Sequence, residues 1–164
     1  MAVQKILQYP HPILKSPSEP VRDLDKDVHR IIRNLLDTLA ASPGVAIAAP
    51  QIGEARRIIV CDVSIKVKVK HHGRIILINP LVLRRDGTSV FREGCLSVPD
   101  YTGNVSRSEK VWVEGVDPEG RSVRLAAEGF EALALQHEID HLDGTLFLDR
   151  ISSLSTDLFR RKTY

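Results

Sequence analysis

Two segments of this 164-residue chain carry apolar residues at helical spacing, and a long β-patterned stretch separates them. From about Asp25 to Ala41, Val28, Ile31, Ile32, Leu35, Leu36 and Leu39 recur at intervals of three and four, which predicts an amphipathic helix. Asp23 and Asp25 are candidate N-caps, and Ser42-Pro43-Gly44 stops the helix. Between Arg57 and Leu125 the pattern shortens to the runs IIVCDV, IILINPLVL, TSVF, KVWVEGV and SVRL, punctuated by Arg85-Asp86-Gly87 and Asp117-Pro118-Glu119-Gly120. These read as antiparallel strands joined by turns. Ile65 to Lys70 alternates strictly and predicts a half-exposed edge strand of a hairpin, guarded by lysines. Helical spacing returns from Gly129 to Asp143, with Phe130, Leu133, Ala134, Ile139 and Leu142 apolar and Gly144 as a stop. The tail FLDRISSLSTDLFRRKTY carries the pattern of at most a short final helix.

Composition changes this picture little. A mass of 18.3 kDa, 43% hydrophobic and 27% charged residues predict one globular domain spanning residues 1–164, with neither a repeat nor a low-complexity linker. The net charge of +2 is too mild to argue for sequence-specific nucleic-acid binding, and the basic clusters Lys66–Lys70 and Arg160–Lys162 read as solvated faces. No apolar run approaches the length of a bilayer span and the N-terminus lacks a signal-peptide pattern, so a cytoplasmic protein with no membrane contact is expected. Cys61 and Cys95 are then expected to be reduced. Cys61, inside an apolar strand, reads as a small buried hydrophobe, whereas Cys95 stands in a glycine-containing loop at a strand end.

The candidate chemistry begins with Gln136-His137-Glu138-Ile139-Asp140-His141 in the second helix. Residues four apart share a helix face about 6 Å apart along the axis, so His137 and His141 can present imidazoles to one ion. Glu138 is rotated by about 100° from His137, which suits a base acting on water better than a third ligand. HExxH also arises by chance, and two further stretches bear on it: Glu93-Gly94-Cys95-Leu96-Ser97 upstream, and the small-residue run from Gly44 to Gln51. The run has neither helical nor alternating character; small residues permit close approach to the backbone, but tight internal packing explains them too.

Together GVAIAAPQ, EGCLS and QHEIDH, in that order, resemble the three motifs of the peptide deformylases, GxGxAAPQ, EGCLS and QHExDH. Val105-Ser106-Arg107, KVWVEGVD and FLDRIS extend the likeness over nearly the whole chain. The resemblance implies an α+β fold in which antiparallel sheets surround the helix bearing the histidines, and removal of formyl from the N-terminal methionine of new proteins. It makes Cys95, His137 and His141 ligands of one divalent ion, with water in the fourth position and Glu138 as base. The Gln51 amide and the Leu96 backbone N–H become oxyanion donors. Sulfur and nitrogen ligation suits Fe(II) or Zn(II), and the resemblance favours Fe(II), with Zn(II), Ni(II) or Co(II) possible in purified protein.

The remaining assignments are expectations about surroundings. The substrate backbone is expected along Gly44, Val45 and Ala46, and its methionine side chain against Val45, Phe130, Leu133 and Ala134, for which core packing is an equal alternative. Glu93 and Arg107 are expected to pair and fix the cysteine loop; Asp140 either orients a ligand or caps exposed helix surface. The basic C-terminus could touch ribosomal RNA transiently. Ala46 replaces the family's second glycine, and would strain the loop if φ there were positive, or narrow the cleft. The competing readings are an HExxH metallopeptidase, a thiol hydrolase pairing Cys95 with a histidine, and a metal-stabilised binding module without catalysis.

Overall fold

The Asp25 side chain accepts a hydrogen bond from the Val28 N–H at 2.9 Å and starts helix α1, Lys26–Ala40, within a residue of where the pattern places it. The computed structural model describes residues 2–66 and 68–162. Its strands are β1 (Ala46–Ala48), β2 (Ile58–Cys61), β3 (Ile75–Asp86), β4 (Ser89–Cys95), β5 (Val98–Arg107), β6 (Lys110–Val116), β7 (Ser122–Glu128) and β8 (Leu158–Arg160). Helix α2 spans Gly129–Leu142 and a single turn, α3, spans Leu154–Asp157. Every pairing between these strands is antiparallel, in one sheet ordered β1-β2-β3-β6-β7 and a second ordered β4-β5-β8.

The larger sheet is buried on both faces near β2, which explains the unbroken apolar run IIVC. Ile58 and Val60 join α1 residues Ile31, Ile32 and Leu35 in one cluster, while Ile59 and Cys61 join α2 residues Ala132, Leu135, Ile139 and Leu142 in another. Successive side chains of a strand point to opposite faces, so one short strand holds both helices. Cys61 is fully buried and unpaired, and burial pushes its thiol far above the ordinary range. A third cluster, of Leu14, Cys95, Val98, Val105, Leu146 and Phe147, fills the space under the smaller sheet. Helix α2 runs between these regions, and every residue from Glu131 to Leu142 is buried.

One expectation is corrected, and two segments hold more structure than their patterns show. The alternating stretch from Ile65 to Lys70 forms no strand among its described residues; Val63–Ile65 is a 3-10 turn capped by Asp62, and Val67 lies outside the described residues. Ile65 and Val69 are 60% and 50% exposed, so alternation there covers no apolar surface and gains nothing from pairing. The small-residue run does contain a strand, β1, whose residues are all buried. The tail holds β8 after its one helical turn, and β8 pairs Arg160 with Tyr101 and Leu158 with Gly103.

Candidate metal centre and substrate cleft

Strand β4 ends at Cys95, where its register with β5 shifts, and this break turns the sulfur toward α2. Cys95 Sγ lies 3.3 Å from His141 Nε2, and the nearest ligand atoms of Cys95, His137 and His141 all fall within 4.8 Å of one another. Donors held 2.0–2.3 Å from a tetrahedral ion stand roughly 3.3–3.8 Å apart; the Cys95–His141 pair already has that spacing, and the whole set comes within about 1 Å of it. Two histidines one helical turn apart and a cysteine from a facing strand leave a tetrahedral position open, as a catalytic rather than a structural site requires.

The second nitrogens of the histidines are treated differently. His137 Nδ1 lies 2.7 Å from Glu93 Oε1, which fixes this ring and leaves Nε2 for an ion. His141 Nδ1 is buried and has no hydrogen-bond partner among the described residues. Before an ion binds, burial opposes charge on both rings. At His137 the contacts with Cys95 and Glu93 win and its pKa stands well above the usual value; at His141 burial, with His137 and Arg107 nearby, holds it well below.

Behind His137 lies a buried network. Arg107 donates to Glu93 through Nε at 2.7 Å and Nη2 at 2.9 Å, and to Asp140 Oδ2 through Nη1 at 2.6 Å. Arg150 Nη2 donates to Asp140 Oδ1 at 2.7 Å. The expected Glu93–Arg107 pair is therefore present, and it reaches the histidine as well as the cysteine strand. Asp140 is no solvent-facing cap: it is 7% exposed and joins two arginines. Burial raises Glu93, yet Arg107 and His137 outweigh it and hold the carboxyl at about 2.

Glu138 points elsewhere. It is 4% exposed, and its Oε2 has no hydrogen-bond partner among the described residues. Burial, then the charges of Glu93 and Asp140, against the opposing His137 and Arg107, raise it to about 7. A carboxyl whose pKa lies near neutrality, beside an ion site, is suited to exchange a proton with water.

The opposite wall comes from the 3-10 turn Ala49–Ile52, which follows β1. Gln51 Oε1 accepts from the Ala48 N–H at 2.9 Å, and this fixes the amide so that its Nε2 faces Ser97 Oγ at 3.2 Å and Cys95 Sγ at 3.7 Å. Ser97, to which sequence reasoning gave no role, also donates its backbone N–H to Cys95 Sγ at 3.4 Å. Its place in EGCLS was the available signal.

Gln51, Glu93, Cys95, His137 and Glu138 border a cleft of about 250 Å³. Gly44, Val45, Ala46, Leu96, Phe130, Leu133 and Ala134 all line it, so every residue expected beside substrate is brought together. Core packing and lining coexist, since Ala46 and Ala134 belong to the α2 cluster as well. Gly44 has a local reason: a Cβ there would stand 2.9 Å from Leu96 Cδ1. Ala46 is extended, and its φ is not positive, so the strain its methyl could have caused is absent. Lys66, Arg92 and Arg161 also line the cleft, so the two basic clusters, solvated as expected, each bring one cation to its edge.

The family model for polypeptide deformylase matches residues 3–157. The chain belongs to the peptide deformylase family. A peptide deformylase from Thermodesulfovibrio yellowstonii is 41% identical over 162 residues, 99% of this chain and 97% of the relative. One from Desulforudis audaxviator is 45% identical over 163 residues, 99% of each. The crystal structure of a peptide deformylase from Legionella pneumophila superposes with a TM-score of 0.86 at 39% identity, covering 93% of this chain and 88% of that one. The protein is thus a metal-dependent hydrolase that removes the N-formyl group from newly made polypeptides. Among the described residues, no helix is long and apolar enough to cross a membrane.

Proposed function

We propose that this deformylase works through Cys95, His137 and His141 as ligands of one divalent ion, Glu138 as the proton carrier, and Gln51 with the Leu96 backbone N–H as oxyanion donors. The observation that carries the assignment is the convergence of the three ligand atoms within 4.8 Å beside a carboxyl raised to about 7. An ion held there supplies Lewis acidity, polarising the formyl carbonyl and making water easier to deprotonate.

The chain's own groups do the rest. Glu138 takes the proton from the attacking water and returns it to the departing amine as the C–N bond breaks. The Gln51 amide, fixed by the Ala48 N–H, faces the oxygen on which charge develops. Because β1 and β4 are edge strands of their sheets, an extended peptide fits between them along Gly44 to Ala46, with the methionine against Val45, Phe130, Leu133 and Ala134. A formyl carbon bears only hydrogen, so close walls around it reject acetyl groups by clash.

Mixed thiolate and imidazole donors suit Fe(II) and Zn(II) alike and also accept Ni(II) or Co(II); it is the family resemblance that favours Fe(II) in the cell. In this reading residues 1–164 act as one catalytic unit in the cytoplasm, meeting nascent chains during transient contact with the ribosome. The test is anaerobic loading with Fe(II) or Ni(II), followed by formate release from a formyl-Met tripeptide, its acetyl analogue, and a Glu138→Gln control. Release from the formyl peptide alone, lost in the control, is expected; a protein that binds one ion yet releases no formate would overturn the proposal.

A further inference from the structure

The charges lining the cleft are sorted by depth. Its acids, Glu93 and Glu138, are 2% and 4% exposed, and Glu93 is matched by Arg107 and His137. Its lysine and two arginines stand further out: Lys66 and Arg92 are exposed and Arg161 is half-buried. Among the described residues that line the cleft, the basic side chains stand toward the mouth and the carboxylates on the floor.

These cations are placed by the fold. Lys66 Nζ donates to the Pro43 carbonyl on the Gly44 side of the cleft. On the other side, the Arg92 guanidinium stacks 3.5 Å over the Phe159 ring centroid, and its Nε donates to Asn104 Oδ1 at 3.0 Å. Arg161 follows β8, and its backbone N–H donates to the Asp100 carbonyl at 2.8 Å. Its guanidinium lies across Gly94, where an added Cβ would meet Nη2 at 2.1 Å. Gly94, the residue before Cys95, thus leaves room for an arginine carried in from the far end of the chain.

A formyl group at Cys95 and His141 sends the rest of its peptide outward, and an extended chain advances about 3.3 Å per residue. On the proposed placement of the peptide, the residues after the methionine leave through the part of the cleft that Lys66, Arg92 and Arg161 line. We propose that Lys66, Arg92 and Arg161 form a substrate-selecting rim that favours peptides with a carboxylate side chain at the second or third residue after formyl-methionine. The inference rests on the deformylase reading and adds a preference to it.

Exposed ion pairs each shift affinity by a small factor, and salt screens them. With Ni(II)-loaded protein and formyl-Met-Ala-X-Ala amides in which X is Glu, Gln or Lys, kcat/KM is expected to rank Glu, Gln, Lys. Glu should lead Gln by about three- to tenfold at low ionic strength. Arg161→Gln, or Lys66→Gln should the former disturb β8, is expected to narrow the Glu-to-Gln ratio, as is 0.5 M salt. Peptides within twofold of one another, or a ratio unmoved by both variants and salt, would overturn the rim.

Calorimetric binding of the same peptides to Glu138→Gln protein separates the two claims. Charge-ranked binding without formate release from wild type supports the rim and removes the hydrolase reading; formate release without ranking removes the rim alone. A short RNA that binds while the peptides go unranked would also overturn it, assigning the cations to nucleic acid.

Discussion

Glu93 holds His137 through an Oε1–Nδ1 contact of 2.7 Å and grips Arg107 with both oxygens, so one buried carboxylate orients a candidate ligand and the arginine behind it. Glu93→Gln keeps the shape and removes the charge. Metal affinity is expected to fall about 10- to 100-fold, since such partners set ring orientation and basicity. Competition against a chelator reads this directly, and unchanged affinity would separate Glu93 from the ion site.

The same carboxylate makes stability depend on acid. Its folded pKa, about 2, lies below the ordinary 4.5, so its contribution is complete above about pH 4.5 and disappears as pH falls through 2. The difference corresponds to about 3 kcal/mol at most. Urea midpoints of metal-free protein at pH 7, 4.5, 3 and 2 should fall more steeply for wild type than for Glu93→Gln below pH 4.5. Parallel curves would mean that the contact is not made in solution.

Glu138 differs in sign. Burial raises its pKa to about 7, and only the ionised carboxylate can accept a proton, so activity should rise with pH. A cation beside it favours the ionised form, and the acid limb of kcat/KM is therefore expected at or below about pH 7. Glu138→Gln should lower kcat by about 10²- to 10⁴-fold while one ion still binds. Loss of the ion in that variant would instead make Glu138 part of the binding set.

Gln51 offers a separate test, because its oxygen is occupied by the Ala48 N–H and only its nitrogen faces the site. Gln51→Glu retains the acceptor and replaces the donor with a charge. A fall in kcat of about 10²- to 10³-fold, with KM changing far less, is the expected signature of an oxyanion donor. Equal loss through KM would place Gln51 in ground-state binding.

What could be read in the sequence follows the range of the interaction. Helix α1 was legible because Ile31 and Leu35 share a face within one segment, and β2 because both its faces are buried. Strand β5 was not, since Val98–Arg107 contains Pro99, Gly103 and five polar residues, and is defined by β4 and β8 rather than by its own pattern. The ligands were legible as motifs. The contacts of Glu93 with His137 and of Arg161 with Gly94 join residues 44 and 67 positions apart, and no local spacing encodes them.

Ala46 provides the sharpest contrast between sequence and structure. As a substitute for glycine its methyl could strain a turn, but it sits in β1 opposite Cys61, 9% exposed, within the cluster that covers α2. Glycine in a strand loses backbone entropy and here also loses a buried methyl, so Ala46→Gly should destabilise the protein by about 1–2 kcal/mol. The cleft would widen by the same methyl. If substrate passes against it, formyl peptides bulkier at the first side chain should gain in kcat/KM relative to formyl-Met, while formate release from formyl-Met persists. Thermal melting and a substrate series on the one variant read both effects, and a stabilised protein would show that the methyl is strained after all.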